Sequence, residues 1–305
     1  MPTKDLRLIR WVDATEDLPD RLPPQTIQQI RAELRKDLRD VLAGDPIHGR
    51  IKIDRYTLRS ALACPASAAP TEFRPNAIIT SRALGLRALD MRGTDPNPAA
   101  CVAAAIDEAV TTQNWMADFL DGQSEAARAT TVVFALSWLN RALTHVPWST
   151  LGRVTFLHSA TWHSPLGYGS GVALVGRPDA FLTAGETGPR DRITLSLGWP
   201  DSDVAALDAL VVALDTGSAP RRCLISYAPG GTVHAVDVTR ELLAAAVTSV
   251  VTAVAALVPS ARGESPYAQP NSLCWNCAHS DGCAEGQVWM AQQPHRRSGL
   301  PIPAF

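Results

Sequence analysis

Near its C-terminal end the chain reads Cys274-Trp-Asn-Cys277-Ala-His-Ser-Asp-Gly-Cys283, a C-x2-C-x5-C run. Two thiols leave one tight turn and a third returns after a small loop, so three sulfurs converge on one centre. Asp281 and Gly282 are turn formers and Pro270 stops the preceding chain, which makes the segment a ligand loop rather than a helix. A [4Fe–4S] cluster and a tetrahedral zinc both need a fourth donor. Cys64, in ALACPAS at the end of a short expected helix, is the best candidate, whereas Cys101 (AACVAAA) and Cys223 (RRCLISY) lie in apolar contexts that fit core packing. His279 is a further nitrogen donor inside the loop. Spacing alone fits iron–sulfur and zinc equally. A centre drawn from residue 64 and residues 274–283 would close a very long loop and fasten one end of the fold to the other.

The rest of the sequence agrees with an intracellular metal site rather than a disulfide framework. MPTKDLRLIRW carries no apolar leader, and six cysteines in 305 residues read as ligands and core residues of a cytoplasmic protein. No stretch approaches a membrane span, since Leu242 to Val258 is broken by threonine and serine. With 46% hydrophobic and 19% charged residues the chain has the balance of a globular protein with a sizeable core. A net charge of −2 excludes a global basic field, so any nucleic-acid site must be a local patch. Arg177, Arg192, Arg221 and Arg222, with Arg296 and Arg297 in the tail, are the candidate phosphate contacts.

Periodicity gives the element order. Pro23 to Leu42 has Ile27, Ile30, Leu34, Leu38 and Leu42 at helical spacing behind a proline. Asp54 or Thr57 caps a short helix ending at Cys64-Pro65. Two helices are expected around Ala99 to Asp118 and Ser124 to Leu143. Three strand segments follow, RVTFLHSATW, GVALVGRPDAFL and RITLSLGW, and form one sheet. A helix from Asp201 to Leu214, the strands RCLISYA and TVHAVDV, and a long apolar helix capped by Thr239 complete the pattern.

A lone Cys64-Pro65 followed, more than two hundred residues later, by C-x2-C-x5-C resembles the iron–sulfur members of the RecB-like PD-(D/E)XK nucleases. These include the AddB nuclease domain and the four-cysteine nucleases of CRISPR adaptation. The resemblance covers roughly Ile51 to Glu285 as an order of elements. It implies an α/β fold with a mixed central sheet flanked by helices, a restriction-endonuclease-like core. Residues 1–50 would be a polar segment and amphipathic helix. Residues 51–305 would be the nuclease-like domain, with a helical insertion at about 97–144 and the cysteine segment at 270–285. The resemblance also favours [4Fe–4S] over zinc on Cys64, Cys274, Cys277 and Cys283.

GVALVGRPDAFL matches the family strand carrying Gly-x-x-Asp, through Gly176, Arg177 and Asp179, and so puts Asp179 at a metal-binding carboxylate position. The next family strand should carry an acid, one residue and then a lysine that orients the attacking water. Here it reads Arg192-Ile-Thr-Leu-Ser-Leu-Gly-Trp199, and no lysine follows Lys52. Placing the motif at Leu214 to Gly217 supplies Asp215 and still no lysine. The helix from Asp201 lacks Gln-x-x-x-Tyr, and no histidine lies between Cys64 and His145. A lone Asp179 holds Mg²⁺ poorly. The expectation is a catalytically inactive nuclease-like module that binds DNA or scaffolds a repair, recombination or defence complex. The alternatives are a divergent metal-dependent DNA nuclease using Asp179 with Glu186 or Asp191, and a redox-sensing or protein-interaction iron–sulfur module.

Overall fold

A computed structural model describes residues 19–44, 46–68, 75–91, 97–112, 114–145, 153–156, 160–163, 171–183, 192–197, 201–227, 232–277 and 279–293. Helix α1 (Pro24–Val41) opens with proline in its first turn and buries Ile27, Ile30, Leu34 and Leu38. Each of those side chains contributes about 1.5–3 kcal/mol by leaving water. Strand β1 (Arg50–Ile53) alternates, with Ile51 and Ile53 inward and Arg50 and Lys52 outward. The Asp54 carboxylate then accepts from the N–H groups of Tyr56 and Thr57, starting helix α2 (Arg55–Ala63), which stops at Cys64.

Helix α3 (Ala77–Met91) is an element the periodicity did not predict. Asn76 caps it, accepting from the N–H groups of Ile78 and Ile79. Helices α4 (Pro98–Thr111), α5 (Trp115–Asp121) and α6 (Glu125–His145) follow. The single helix expected over Ala99 to Asp118 is two, because the Asn114 side chain accepts from the Met116 N–H and restarts the chain as α5.

The strand segments give two sheets where one was expected. RVTFLHSATW yields β2 (Arg153–Phe156) and β3 (Ala160–His163), while GVALVGRPDAFL yields β4 (Gly171–Gly176) and β5 (Ala180–Thr183). Strands β1, β4 and β3 form one sheet, with β1 parallel and β3 antiparallel to β4. Strands β2, β5, β6 (Arg192–Leu197), β7 (Arg222–Tyr227) and β8 (Thr232–Asp237) form the other in that order. The chain changes sheets at Arg177-Pro178-Asp179, where Pro178 has no N–H with which to continue a ladder.

Between β6 and its parallel partner β7 runs helix α7 (Ser202–Thr216). Asp201 caps its start, and Gly217, at φ 74°, ends it in the left-handed conformation that glycine adopts without a Cβ penalty. From Val204 to Leu214 every residue of α7 is buried, including Asp208. Helix α8 (Arg240–Ala261), capped by Thr239, packs against α1, α2 and α7. Contrary to the sequence expectation for this stretch, it is long and apolar enough to cross a membrane by length and composition, and its Leu243, Val250, Val254 and Leu257 lie in the core.

Alternation in the five-stranded sheet divides the interior in two. Phe181, Cys223 and Ile225 join the core under α7 and α8, whereas Ala180, Leu195 and Leu224 join the core of α3, α4, α5 and α6. The helical segment from residue 98 to residue 145 thus forms a cover layer for this sheet.

Candidate metal centre

After α8 the chain returns to the end of α2. The Ala66 N–H donates to the Tyr267 carbonyl at 3.1 Å, and Asn271 Nδ2 donates to the Ala63 carbonyl at 2.9 Å. This seats the cysteine segment against Cys64. Short 3₁₀ turns at Ser272–Asn276 and Ser280–Gly282 then carry Cys274, Cys277 and Cys283 and lead into helix α9 (Ala284–Ala291). Cys64 and Cys274 are buried, Cys277 and Cys283 half-buried, and all four are free thiols.

Three of the four sulfurs face backbone donors. Gln269 N–H approaches Cys64 Sγ at 3.2 Å, Asn271 N–H approaches Cys274 Sγ at 3.4 Å, and Gly286 N–H approaches Cys283 Sγ at 3.3 Å. Backbone donors aimed at sulfur stabilise thiolate, the form in which cysteine binds metal. A Cβ built on Gly286 would lie 3.2 Å from Cys283 Sγ and 3.7 Å from Cys274 Sγ. Glycine there leaves open the space beside both sulfurs. His279 Nε2 is buried in the same loop and, among the described residues, has no hydrogen-bond partner. Trp275 meets Trp289 of α9 edge-on, with ring centroids 6.5 Å apart, and packs α9 onto the loop. Among the described residues no three His, Cys, Asp or Glu side chains are already gathered tightly enough to hold one ion. Cys274 and Cys283 share the space beside Gly286, and Cys64, Cys274 and Cys283 each face a backbone N–H, features compatible with metal ligation by cysteine.

Asp179 lies elsewhere, at the sheet change. It is buried, and Arg82 of α3 donates to both its carboxylate oxygens, at 3.1 and 3.0 Å. Beside it stands Asp208 of α7. A Cβ on Gly176 would lie 3.0 Å from Val211 Cβ and 3.4 Å from Asp208 Cα, so this glycine permits the close approach of β4 to α7. That approach lets the Arg177 N–H donate to Asp208 Oδ1 at 2.9 Å. Arg55, the first residue of α2, donates to Asp208 Oδ2 at 3.0 Å and also to the Arg177 carbonyl. Burial pushes the Asp208 carboxyl up to about 6, against the opposing pull of Arg55 and the Arg177 N–H, and the neighbouring Asp179 adds to the rise. Two carboxylates and two guanidinium groups thus form one charge cluster where the strand changes sheets.

No family model and no curated protein matches this chain. The site must therefore be read from its own residues. The sequence reading named Asp179 and the cysteines but not Asp208, Arg55 or Arg82, which the structure brings to Asp179. Asp208 had a signal: it is the lone acid in VAALDALVVAL, and a helix apolar on all sides is buried, so its acid needs a partner.

The candidate phosphate contacts fare unequally. Arg177 is exposed. Arg221 is half-buried, with Nε donating to the Pro19 carbonyl at 2.8 Å. Arg222 is a correction: its side chain is 8% exposed and Nε donates to Asp237 Oδ1 at 2.5 Å, so this residue pairs strands β7 and β8 and is closed to phosphate. Arg192 opens β6, its side chain outside what is described, and Glu186, Asp191, Arg296 and Arg297 lie outside the described residues. Cys223 is fully buried, and burial pushes its thiol up to about 12, the state of an inert core cysteine.

Proposed function

We propose that this protein is a catalytically inactive, nuclease-like module that carries a [4Fe–4S] cluster on Cys64, Cys274, Cys277 and Cys283 and binds nucleic acid or scaffolds a partner complex. The observation that carries this reading is the pairing of buried Asp179 with Arg82. A nuclease carboxylate in this position must offer its oxygens to a divalent cation, and here a guanidinium already takes both. At Asp208, Arg55 takes one oxygen and the Arg177 N–H the other. On this reading the protein's own guanidinium groups neutralise the carboxylates that would hold a metal ion in an active enzyme.

The chain order supports a restriction-endonuclease-like core. Strands β2, β5 and β6 run antiparallel in succession, and α7 then crosses to β7 parallel to β6. The cysteines would act as a staple between the end of α2 and the C-terminal segment, with the cluster supplying bonds that close the loop. Arg177 is exposed, its N–H bonds Asp208, and it would supply a phosphate contact.

The test is a cleavage assay on single- and double-stranded DNA with Mg²⁺ or Mn²⁺. No cutting is expected. Cutting that disappears in Asp179→Ala would overturn the inactive reading. Binding that weakens as salt rises is expected of the nucleic-acid role, and no binding at low salt would leave the scaffold role alone.

A further inference from the structure

The helices that cover the five-stranded sheet turn apolar side chains outward as well as inward. Of the eight large apolar side chains that are exposed among the described residues, five stand on α3, α4 and α6: Ile78, Ile79, Val110, Val133 and Phe134. Val133 is 59% exposed and Phe134 47%, and the two sit side by side in the middle of α6. Successive residues of a helix turn by about 100°. On that wheel Val133 marks the centre of the exposed side, opposite buried Thr131, Ala135 and Ala142. Exposed Ala126, Ala129, Thr130 and Ser137 lie within about 60° of it and carry no charge. By contrast α1 exposes Glu33, Arg35, Lys36 and Asp40, the solvated face usual for a surface helix. The charges on the exposed side of α6 stand toward its two ends. Glu125 precedes Val133 by eight residues and Arg141 follows it by eight, each about 12 Å away along the axis and about 80° round, on opposite sides. Arg128 turns about 140° from Val133 and pairs with Asp121 at 3.9 Å.

We propose that α6 pairs with the α6 of a second copy of this chain, antiparallel about a two-fold axis through Val133. The charge register selects this occupant. The two-fold operation carries Glu125 of one copy to the level and the side of Arg141 of the other, so both ends of the contact close on unlike charges. A parallel pair would bring like charges to the same level instead. In the antiparallel pair Val133 meets its twin on the axis, and Phe134 of each copy covers Val132 and Ala129 of the other. One helix face is smaller than the roughly 800 Å² per partner of a standard interface, so the dimer forms and separates with concentration. The inference goes beyond the function proposed above and is independent of what the cysteines hold.

The experiment is analytical ultracentrifugation of the full chain from low to high micromolar concentration, with reductant present so that no disulfide links two copies. Wild type is compared with Val133→Asp, Glu125→Arg, Arg141→Glu and the double variant Glu125→Arg/Arg141→Glu. All three positions are exposed, and circular dichroism checks that each variant is folded. The expected wild-type mass rises from one chain toward two as concentration increases. Val133→Asp sets two like charges together on the axis and should raise the dissociation constant at least tenfold. Each single charge reversal should weaken association several-fold, and the double variant, which restores unlike charges at both ends, should return it to the wild-type value. A wild type that stays monomeric throughout would overturn the proposal, as would a dimer indifferent to Val133→Asp. A double variant that associates no better than the single reversals would overturn the antiparallel pairing.

Discussion

Replacing Arg55 with alanine tests the buried charge cluster most sharply. Asp208 has a side chain only 2% exposed, and its direct partners are Arg55 at 3.0 Å and the Arg177 N–H at 2.9 Å. Even with both in place its carboxyl is pushed up to about 6 by burial, so the charged form is held at a cost. Removing one partner of a buried ion pair costs about 3–5 kcal/mol when the other stays charged. Asp208 has an escape, because it can take up a proton. The sign follows from the raised pKa: between the ordinary carboxylate value and about 6 the folded state binds more protons than the unfolded one, so the Asp208 contribution to stability falls as pH rises through that window. In Arg55→Ala the fall should be steeper and reach to higher pH. We expect a loss of about 3 kcal/mol at pH 8, and of about 1 kcal/mol at pH 5, where the neutral carboxyl no longer needs the guanidinium. Urea unfolding of wild type and variant at both pH values measures the difference. An equal loss at pH 5 and pH 8 would refute the reasoning, since it would show that the charge of Asp208 is not what Arg55 answers.

Four further variants have expected outcomes. Gly286→Ala sets a methyl 3.2 Å from Cys283 Sγ and should lower the iron bound per chain several-fold, read by metal analysis, with far-ultraviolet circular dichroism unchanged. Cys64→Ala should abolish cluster retention; unchanged metal content would mean that the fourth ligand lies elsewhere. Arg222→Ala should cost about 1–2 kcal/mol of stability through lost packing and the lost pair with half-exposed Asp237, and should leave DNA affinity unchanged at matched salt, whereas Arg177→Ala should weaken DNA binding and its salt dependence.

What could be read from the sequence divides along physical lines. Helices α1, α7 and α8 were legible because their apolar runs have the right length and their starts carry Pro24, Asp201 and Thr239. Helix α3 escaped because it is covered on several sides: Thr80, Ser81, Leu84, Leu86 and Leu89 are all buried, which blurs the stripe that marks a surface helix. Its loss from the reading hid Arg82, and with it the partner of Asp179. The split of the sheet escaped because alternation reports which face a residue takes and not which neighbour its strand finds. The link from Cys64 to residues 267–271 is a contact across some two hundred residues of chain, made by main-chain groups together with the Asn271 amide and the Cys64 sulfur, and no local pattern records it. The cysteine spacing pointed to one place; Cys274 and Cys283 flank Gly286, while among the described residues no three metal-binding side chains are gathered there.

The central proposal is that a cluster on four thiolates staples a nuclease-like fold in which Arg82 and Arg55 pair with Asp179 and Asp208. Its most direct test is the colour and metal content of anaerobically purified protein. The account predicts a brown protein with iron and acid-labile sulfide at about four each per chain. Colourless protein holding zinc, without iron or sulfide, would contradict it.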